Sequence, residues 1–188
     1  VNLGGGKAVI LGDSRTDKSE SLFRAYGRMV ESLRGRYITA EDVGINTRDM
    51  ELVKMETNHV TGIPESMGGS GDPSPVTAYG VFMGIKASAQ YKWGSDNLTG
   101  KTVLVQGVGH VGETVVKYLT ENGAHVLIND IYEETLESVA KKYHATIVRG
   151  DVYDVEMDIY TPCALGATIN DTTIERLKCG IIAGAANN

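Results

Sequence analysis

The run from Thr102 to Asp130 constrains the fold more than any other part of the chain. Thr102-Val103-Leu104-Val105-Gln106 is apolar and β-branched, as a strand buried on both faces should be. It enters Gly107-Val108-Gly109-His110-Val111-Gly112, and a helical pattern from Val111 to Asn122 follows, stopped by Gly123. Ala124 to Asn129 reads as a second strand, closed by Asp130, 18 residues after Gly112. Glycine pairs alone are common in turns. Between a strand and a helix, with an acid ending the next strand, they read as a dinucleotide loop. Gly107 permits the turn, Gly109 lets a pyrophosphate approach the backbone, and Gly112 lets helix and strand pack closely. Val108, His110 and Val111 complete the loop, and the helix N-terminus offers unpaired N–H groups to phosphates. A carboxylate at 130 can accept ribose hydroxyls and would repel a 2′-phosphate. The following residues, Ile131, Tyr132, Glu133 and Glu134, include no arginine, so NAD is expected over NADP.

The alternation continues with a helix over Glu133–Tyr143 and strands at Thr146–Val148, Met157–Tyr160 and Gly180–Ala183, with a helix near Asp171–Leu177. The expected class is α/β, a doubly wound parallel sheet with helices on both faces, the Rossmann arrangement. Upstream, Ala8–Asp13 reads as a strand. Ser19–Leu33 reads as a helix through Leu22, Phe23, Tyr26, Met29, Val30 and Leu33. Tyr37–Ala40 is a second strand, and Thr47–Glu56 a short helix with Met50 and Val53 inward and Thr47 as cap. Gly62–Pro75 reads as a flexible linker or, given its closely spaced prolines, a stiffer one. From Pro75 to Tyr91, Val76, Tyr79, Met83 and Ala87 recur at helical steps, a long helix entered through proline. The expected organisation is a partial α/β substrate domain over 1–76, a connecting helix over 77–97, and an NAD-binding domain over 98–188 that is incomplete at its C-terminal end. A cleft between the two domains would hold both ligands.

Hydrophobic residues at 41% and charged residues at 22% are ordinary globular values. A net charge of −6 argues against nucleic acid or an anionic membrane surface as partner. No apolar stretch approaches a membrane span, and no leader resembling a signal peptide is present. Cys163 and Cys179 are too few for a disulfide framework, which makes a reducing cytoplasm the default. His59, His110, His125 and His144 are scattered, so no metal site is expected. The chain opens at Val1 and reaches a glycine loop almost at once; it ends on Gly184-Ala185-Ala186-Asn187-Asn188 directly after an apolar run. Both ends read as cut from a longer protein.

That first loop, Gly4-Gly5-Gly6-Lys7, presents a single lysine. Most lysines are solvated surface charges. Three glycines, however, give the backbone unusual freedom and allow close approach to a ligand or strand. A lysine desolvated in such a site would lose proton affinity and could serve acid/base chemistry. Asp42, at a strand end beside Gly44, invites the same reading, with Glu41 as its natural competitor.

Leu3-Gly4-Gly5-Gly6-Lys7, Thr39-Ala40-Glu41-Asp42-Val43-Gly44, Gly71-Asp72-Pro73-Ser74-Pro75-Val76-Thr77-Ala78 and Gly184-Ala185-Ala186-Asn187-Asn188 occur in that order. Together they resemble the glutamate, leucine, phenylalanine and valine family of amino-acid dehydrogenases, across essentially the whole chain. Thr161-Pro162-Cys163-Ala164-Leu165-Gly166-Ala167-Thr168-Ile169-Asn170 is similar to the leucine branch. The resemblance implies that Lys7 and Asp42 are catalytic, and that Gly107 to Gly112 and Asp130 hold NAD. It also implies that Asn187 and Thr77 lie near the nicotinamide. The implied reaction is reversible oxidative deamination of a branched-chain L-amino acid to its 2-oxo acid and ammonia, a step of branched-chain amino-acid catabolism. Lys7 would activate water and stabilise the carbinolamine oxygen, while Asp42 shuttles protons. A homo-oligomer is implied too. Phenylalanine or valine preference, or a non-catalytic nucleotide-binding module, are the alternatives. Asp72 stands where many leucine enzymes carry asparagine, and the family's carboxylate-holding lysine has no counterpart among these residues.

Overall fold

A computed structural model describes residues 4–187, so Leu3 and Asn188, at the ends of two motifs, lie outside the described residues. The chain forms two compact units that divide between Pro73 and Ser74.

The first unit is built on two helices. α1 (Glu20–Ser32) begins where the Ser19 hydroxyl accepts the Leu22 N–H at 3.2 Å. α2 (Thr47–Lys54) is capped by Asn46 rather than Thr47: Asn46 Oδ1 accepts the Asp49 N–H, and the Asp49 carboxylate accepts the Asn46 N–H. That reciprocal box satisfies two orphan amides, which Thr47, already the first helical residue, could not do. Phe23, Met50, Val53, Val60 and Ile63 form the core of this unit. Met29, expected inward, is exposed.

Neither expected strand of this unit forms among the described residues. Tyr37–Ala40 contributes a single parallel bridge, Thr39 to Val60, and Ala8–Asp13 enters no strand ladder. A strand exists only through its ladder, and without a partner the apolar run leaves Val9 and Leu11 exposed. Gly62–Pro75 folds back through a 3₁₀ turn at Glu65–Met67, with the Gly71 N–H on the Ile63 carbonyl.

The second unit opens with α3 (Ser74–Trp93). Its core face is Ala78, Phe82, Ile85 and Ala89; Val76, Met83 and Ala87 are exposed, and Tyr79, half exposed, sets its ring edge-on to Tyr118. The helix is apolar around much of its circumference, so its spacing could not reveal which face is buried. β1 (Thr102–Gln106), α4 (His110–Glu121), β2 (His125–Asn129), α5 (Glu133–Tyr143), β3 (Thr146–Ile147), β4 (Ile159–Pro162) and β5 (Ile181–Ile182) follow. The five strands are parallel, in the order β3-β2-β1-β4-β5.

The two faces of this sheet are covered differently. Val103, Val105, Val126, Ile128, Ile159 and Ile181 pack on α3, α4 and α5. Each such side chain, fully buried, contributes about 1.5–3 kcal/mol. On the other face Leu104, Leu127 and Tyr160 meet Val152 and Met157 from the crossover before β4, with Leu177 and Cys179 beside them. No helix covers that second face among the described residues, contrary to the doubly wound expectation. The expected helix at Asp171–Leu177 is one 3₁₀ turn, Ile174–Arg176. Asn170 Oδ1 takes the N–H groups of Thr172 and Thr173, competing with helical bonds. Arg176 then spans to Asp151 and Asp154, pinning the turn to the crossover.

Candidate functional site

In the first unit Lys7 Nζ donates to Asp42 Oδ2, forming an ion pair. Gly44, at φ 76°, ends a turn in which the Ile45 N–H reaches the Asp42 carbonyl, and the Val43 N–H donates to Asp42 Oδ1 at 2.9 Å. The turn thus aims the aspartate at Lys7, and the structure pairs the lysine with Asp42 rather than its neighbour Glu41. A Cβ on Gly6 would meet the Tyr37 ring at 3.0 Å, so this glycine serves close approach to an aromatic face. Only its place at the start of the expected strand marks Tyr37 in the sequence.

The electrostatics reverse one expectation. Lys7 is exposed, and the Asp42 hydrogen bond followed by its charge raises the ammonium above the ordinary lysine value. Lys7 in turn, together with the Val43 N–H, holds the Asp42 carboxyl below the usual carboxylate range. Desolvation, the effect that would have weakened the lysine's hold on its proton, is outweighed.

In the second unit the glycine loop is set by backbone contact. Gly107 has φ 90°, and its N–H donates to the Asn129 carbonyl at 2.7 Å. A Cβ on Gly107 would lie 2.6 Å from the Ala164 nitrogen, and one on Gly112 would overlap the Gly107 carbonyl oxygen. A Cβ on Gly109 would meet nothing within 4 Å. Gly109, at the cap of α4, makes no side-chain bond to the helix. Asp130 reaches back to this loop: Oδ2 accepts the Val108 N–H at 2.8 Å and Oδ1 the Tyr132 N–H at 2.9 Å. The structure therefore brings Asp130 and Gly107–Gly112 together, with a bond to Val108 that sequence spacing does not encode.

Thr77 is exposed in the first turn of α3, and Asn187 is exposed near the C-terminal end of the unit, its carbonyl accepting the Ala167 N–H at 3.0 Å. Cys163 lies under Gly112, and burial pushes its thiol up to about 11, so it stays protonated at neutral pH. Both cysteines are free. No helix of the described residues is long and apolar enough to cross a membrane.

Residues 1–59 match the family described as Glu/Leu/Phe/Val dehydrogenase, dimerisation domain. Residues 68–132 match Glutamate/Leucine/Phenylalanine/Valine dehydrogenase. Leucine dehydrogenase of Thermoactinomyces intermedius is 54% identical over 189 residues, covering 100% of this chain and 52% of that protein. Phenylalanine dehydrogenase of Lysinibacillus sphaericus is 48% identical over 194 residues, covering 100% of this chain and 51% of that protein. Among solved structures, L-tryptophan dehydrogenase from Nostoc punctiforme superimposes with a TM-score of 0.67 at 40% identity, covering 92% of this chain and 48% of that one. The hetero-hexameric glutamate dehydrogenase from Thermus thermophilus shares the fold at a TM-score of 0.70 and 20% identity, covering 89% of this chain and 46% of that one. The chain spans about half the length of the curated relatives it matches.

Proposed function

Because the chain belongs to the Glu/Leu/Phe/Val dehydrogenase family, we propose that it takes part in reversible oxidative deamination of a branched-chain L-amino acid, leucine first. Amino acid, NAD⁺ and water give the 2-oxo acid, ammonia, NADH and a proton. The observation that carries this reading is the Lys7–Asp42 pair, two proton-exchanging groups hydrogen-bonded to each other on a chain that also bears the glycine loop.

The second unit fits a dinucleotide. Its strand order is that of the first five strands of a Rossmann sheet, and the loop leaves β1 where the order reverses between β1 and β4. A Cβ at Gly109 would meet open space, which suits close approach of a pyrophosphate to the start of α4. Each Asp130 oxygen already accepts one backbone N–H and keeps a further lone pair for a ribose hydroxyl. Thr77 and Asn187 then serve the nicotinamide end. Bound NAD would supply the hydride acceptor.

Lys7 as found is a cation, the form that stabilises a developing oxyanion. Activating water requires that proton to leave, and contact with Asp42 opposes this. Proton transfer therefore goes with separation of the pair when substrate enters, freeing Asp42 to carry protons to and from nitrogen. A homo-oligomer is proposed from the dimerisation-domain match over residues 1–59, and the cytoplasm is the proposed location.

A second reading, preference for phenylalanine, has the 48% identical phenylalanine dehydrogenase in its favour. Initial rates of the full-length protein with L-leucine, L-valine, L-isoleucine and L-phenylalanine, each with NAD and NADP, test both. Fastest NADH formation with leucine is expected. Fastest turnover of phenylalanine would select the second reading. Absence of reduction with every amino acid, despite NADH binding, would select a non-catalytic nucleotide module.

A further inference from the structure

The stretch Thr161–Asn170 resembles the family without having a role of its own in the reading above. In the structure it closes on the segment Gly184–Asn187 from two sides. The Pro162 carbonyl, at the end of β4, accepts the N–H groups of both Ala185 and Ala186 at 2.9 Å. Gly184 sits so close to that oxygen that a Cβ would overlap it. On the other side the Ala167 N–H donates to the Asn187 carbonyl at 3.0 Å, and a Cβ on Gly166 would overlap the same carbonyl oxygen. Ala167 takes φ 63°, a left-handed conformation that side chains other than glycine rarely adopt. Its own carbonyl accepts Asn170 Nδ2 at 3.2 Å, while the Asn170 N–H is held by Thr173 Oγ1 at 2.9 Å.

We infer that Gly166 and Ala167 are positioning residues that set the place of Asn187. The contacts from this loop to the Asn187 carbonyl run through backbone, and a side chain is excluded on each segment of the clasp, at Gly166 on one and at Gly184 on the other. A side chain added at Gly166 has to push the Asn187 peptide away. The side chain of Asn187 moves with its backbone, and with it the polar group assigned to the reacting end of the ligands. The inference rests on that assignment of Asn187, and a displacement of about 1 Å at such a group can cost on the order of 100-fold in rate.

The test is a double-mutant cycle on the full-length protein: Gly166→Ala, Asn187→Ala, and both together, with kcat and KM for L-leucine. Gly166→Ala is expected to lower kcat by roughly 100-fold. If Gly166 acts through Asn187, the double variant is no slower than Asn187→Ala alone. Losses that multiply, or a wild-type kcat for Gly166→Ala, would overturn the inference. Amide hydrogen exchange on the same proteins separates this from the functional reading. The Ala167 amide should be protected in the wild type and in Asn187→Ala, and should lose protection in Gly166→Ala. Unchanged turnover in Asn187→Ala, or no dehydrogenase activity at all, would remove the assignment of Asn187 and leave the clasp to be judged on exchange alone. Rapid exchange of Ala167 in the wild type would remove the clasp itself.

Discussion

Lys7 meets Asp42 with 75% of the lysine side chain in solvent, on a unit where the neighbouring apolar run forms no strand. The loop Gly107–Gly112 lies at the end of a strand paired on both sides, and two of its three glycines lack room for a methyl group. One site is held by an attraction between two solvent-exposed side chains. The other is held by exclusion, with backbone packed on backbone. Sites of the first kind tolerate substitution structurally and lose chemistry; sites of the second kind lose structure before chemistry can be read.

The sharpest consequence is for turnover. Lys7→Ala should lower kcat of the full-length protein by roughly 10²–10⁴-fold, the usual range for a positioned acid–base group. Asp42→Asn should fall in the same range, because an amide keeps the shape but carries no proton. NADH affinity should stay within about threefold of wild type, since both residues belong to the other unit. Equal losses of affinity and rate, measured by fluorescence titration beside kinetics, would erase the contrast between the two sites.

Next comes stability of the glycine loop. Gly112→Ala puts a methyl group on the Gly107 carbonyl and should destabilise the protein by about 3 kcal/mol, the upper part of the overpacking range. Gly109→Ala, where a Cβ meets open space, should leave the urea midpoint unchanged and weaken NADH binding instead. A stable Gly112→Ala variant would mean the loop is not held by exclusion.

This contrast also governs how much could be read from sequence. In the second unit β1, α4 and β2 announce themselves, because the strands are buried on both faces and the helix is bounded by glycines. In the first unit α1 and α2 were legible from their periodicity, but Ala8–Asp13 was not: its apolar residues signal a strand, and whether one forms depends on a partner elsewhere. The buried face of α3 was hidden for a different reason, since Val76 and Met83 are as apolar as Phe82 and Ile85. Arg176 illustrates a third limit. Its turn is decided by Asn170 capturing local N–H groups and by two aspartates over twenty residues away, neither visible in a helical pattern. The Lys7–Asp42 pairing was legible only through family motifs; its exposed setting and the raised lysine were not.

Asp130 tests the loop from its ligand side. Asp130→Ser removes a carboxylate that holds Val108 and is proposed to hold the ribose, so NAD binding should weaken by about 1–2 kcal/mol. Discrimination against NADP should fall as well, because the charge that repels a 2′-phosphate is gone. The check is the ratio of kcat/KM for the two cofactors. An unchanged ratio would confine Asp130 to bracing the loop.

The smallest effect is the most informative about the first site. Asp42 has a depressed folded-state pKa, so any stability from the pair is present above the ordinary carboxylate value of 3.8 and is lost as pH falls through the lower folded value. Lys7 is raised, so its contribution is present below 10.5 and is lost as pH rises beyond that, through the folded value. The charge of Tyr37 adds to the rise in Lys7. Between these limits the pair adds a constant, and an exposed constant is small because solvent and salt screen it. The thermal midpoint of Lys7→Ala should therefore track that of the wild type from pH 5 to pH 9 within error, even as turnover collapses. A midpoint difference that grows inside this window would show that another ionisable group is coupled to Lys7, and that the pair is part of the packing of its unit.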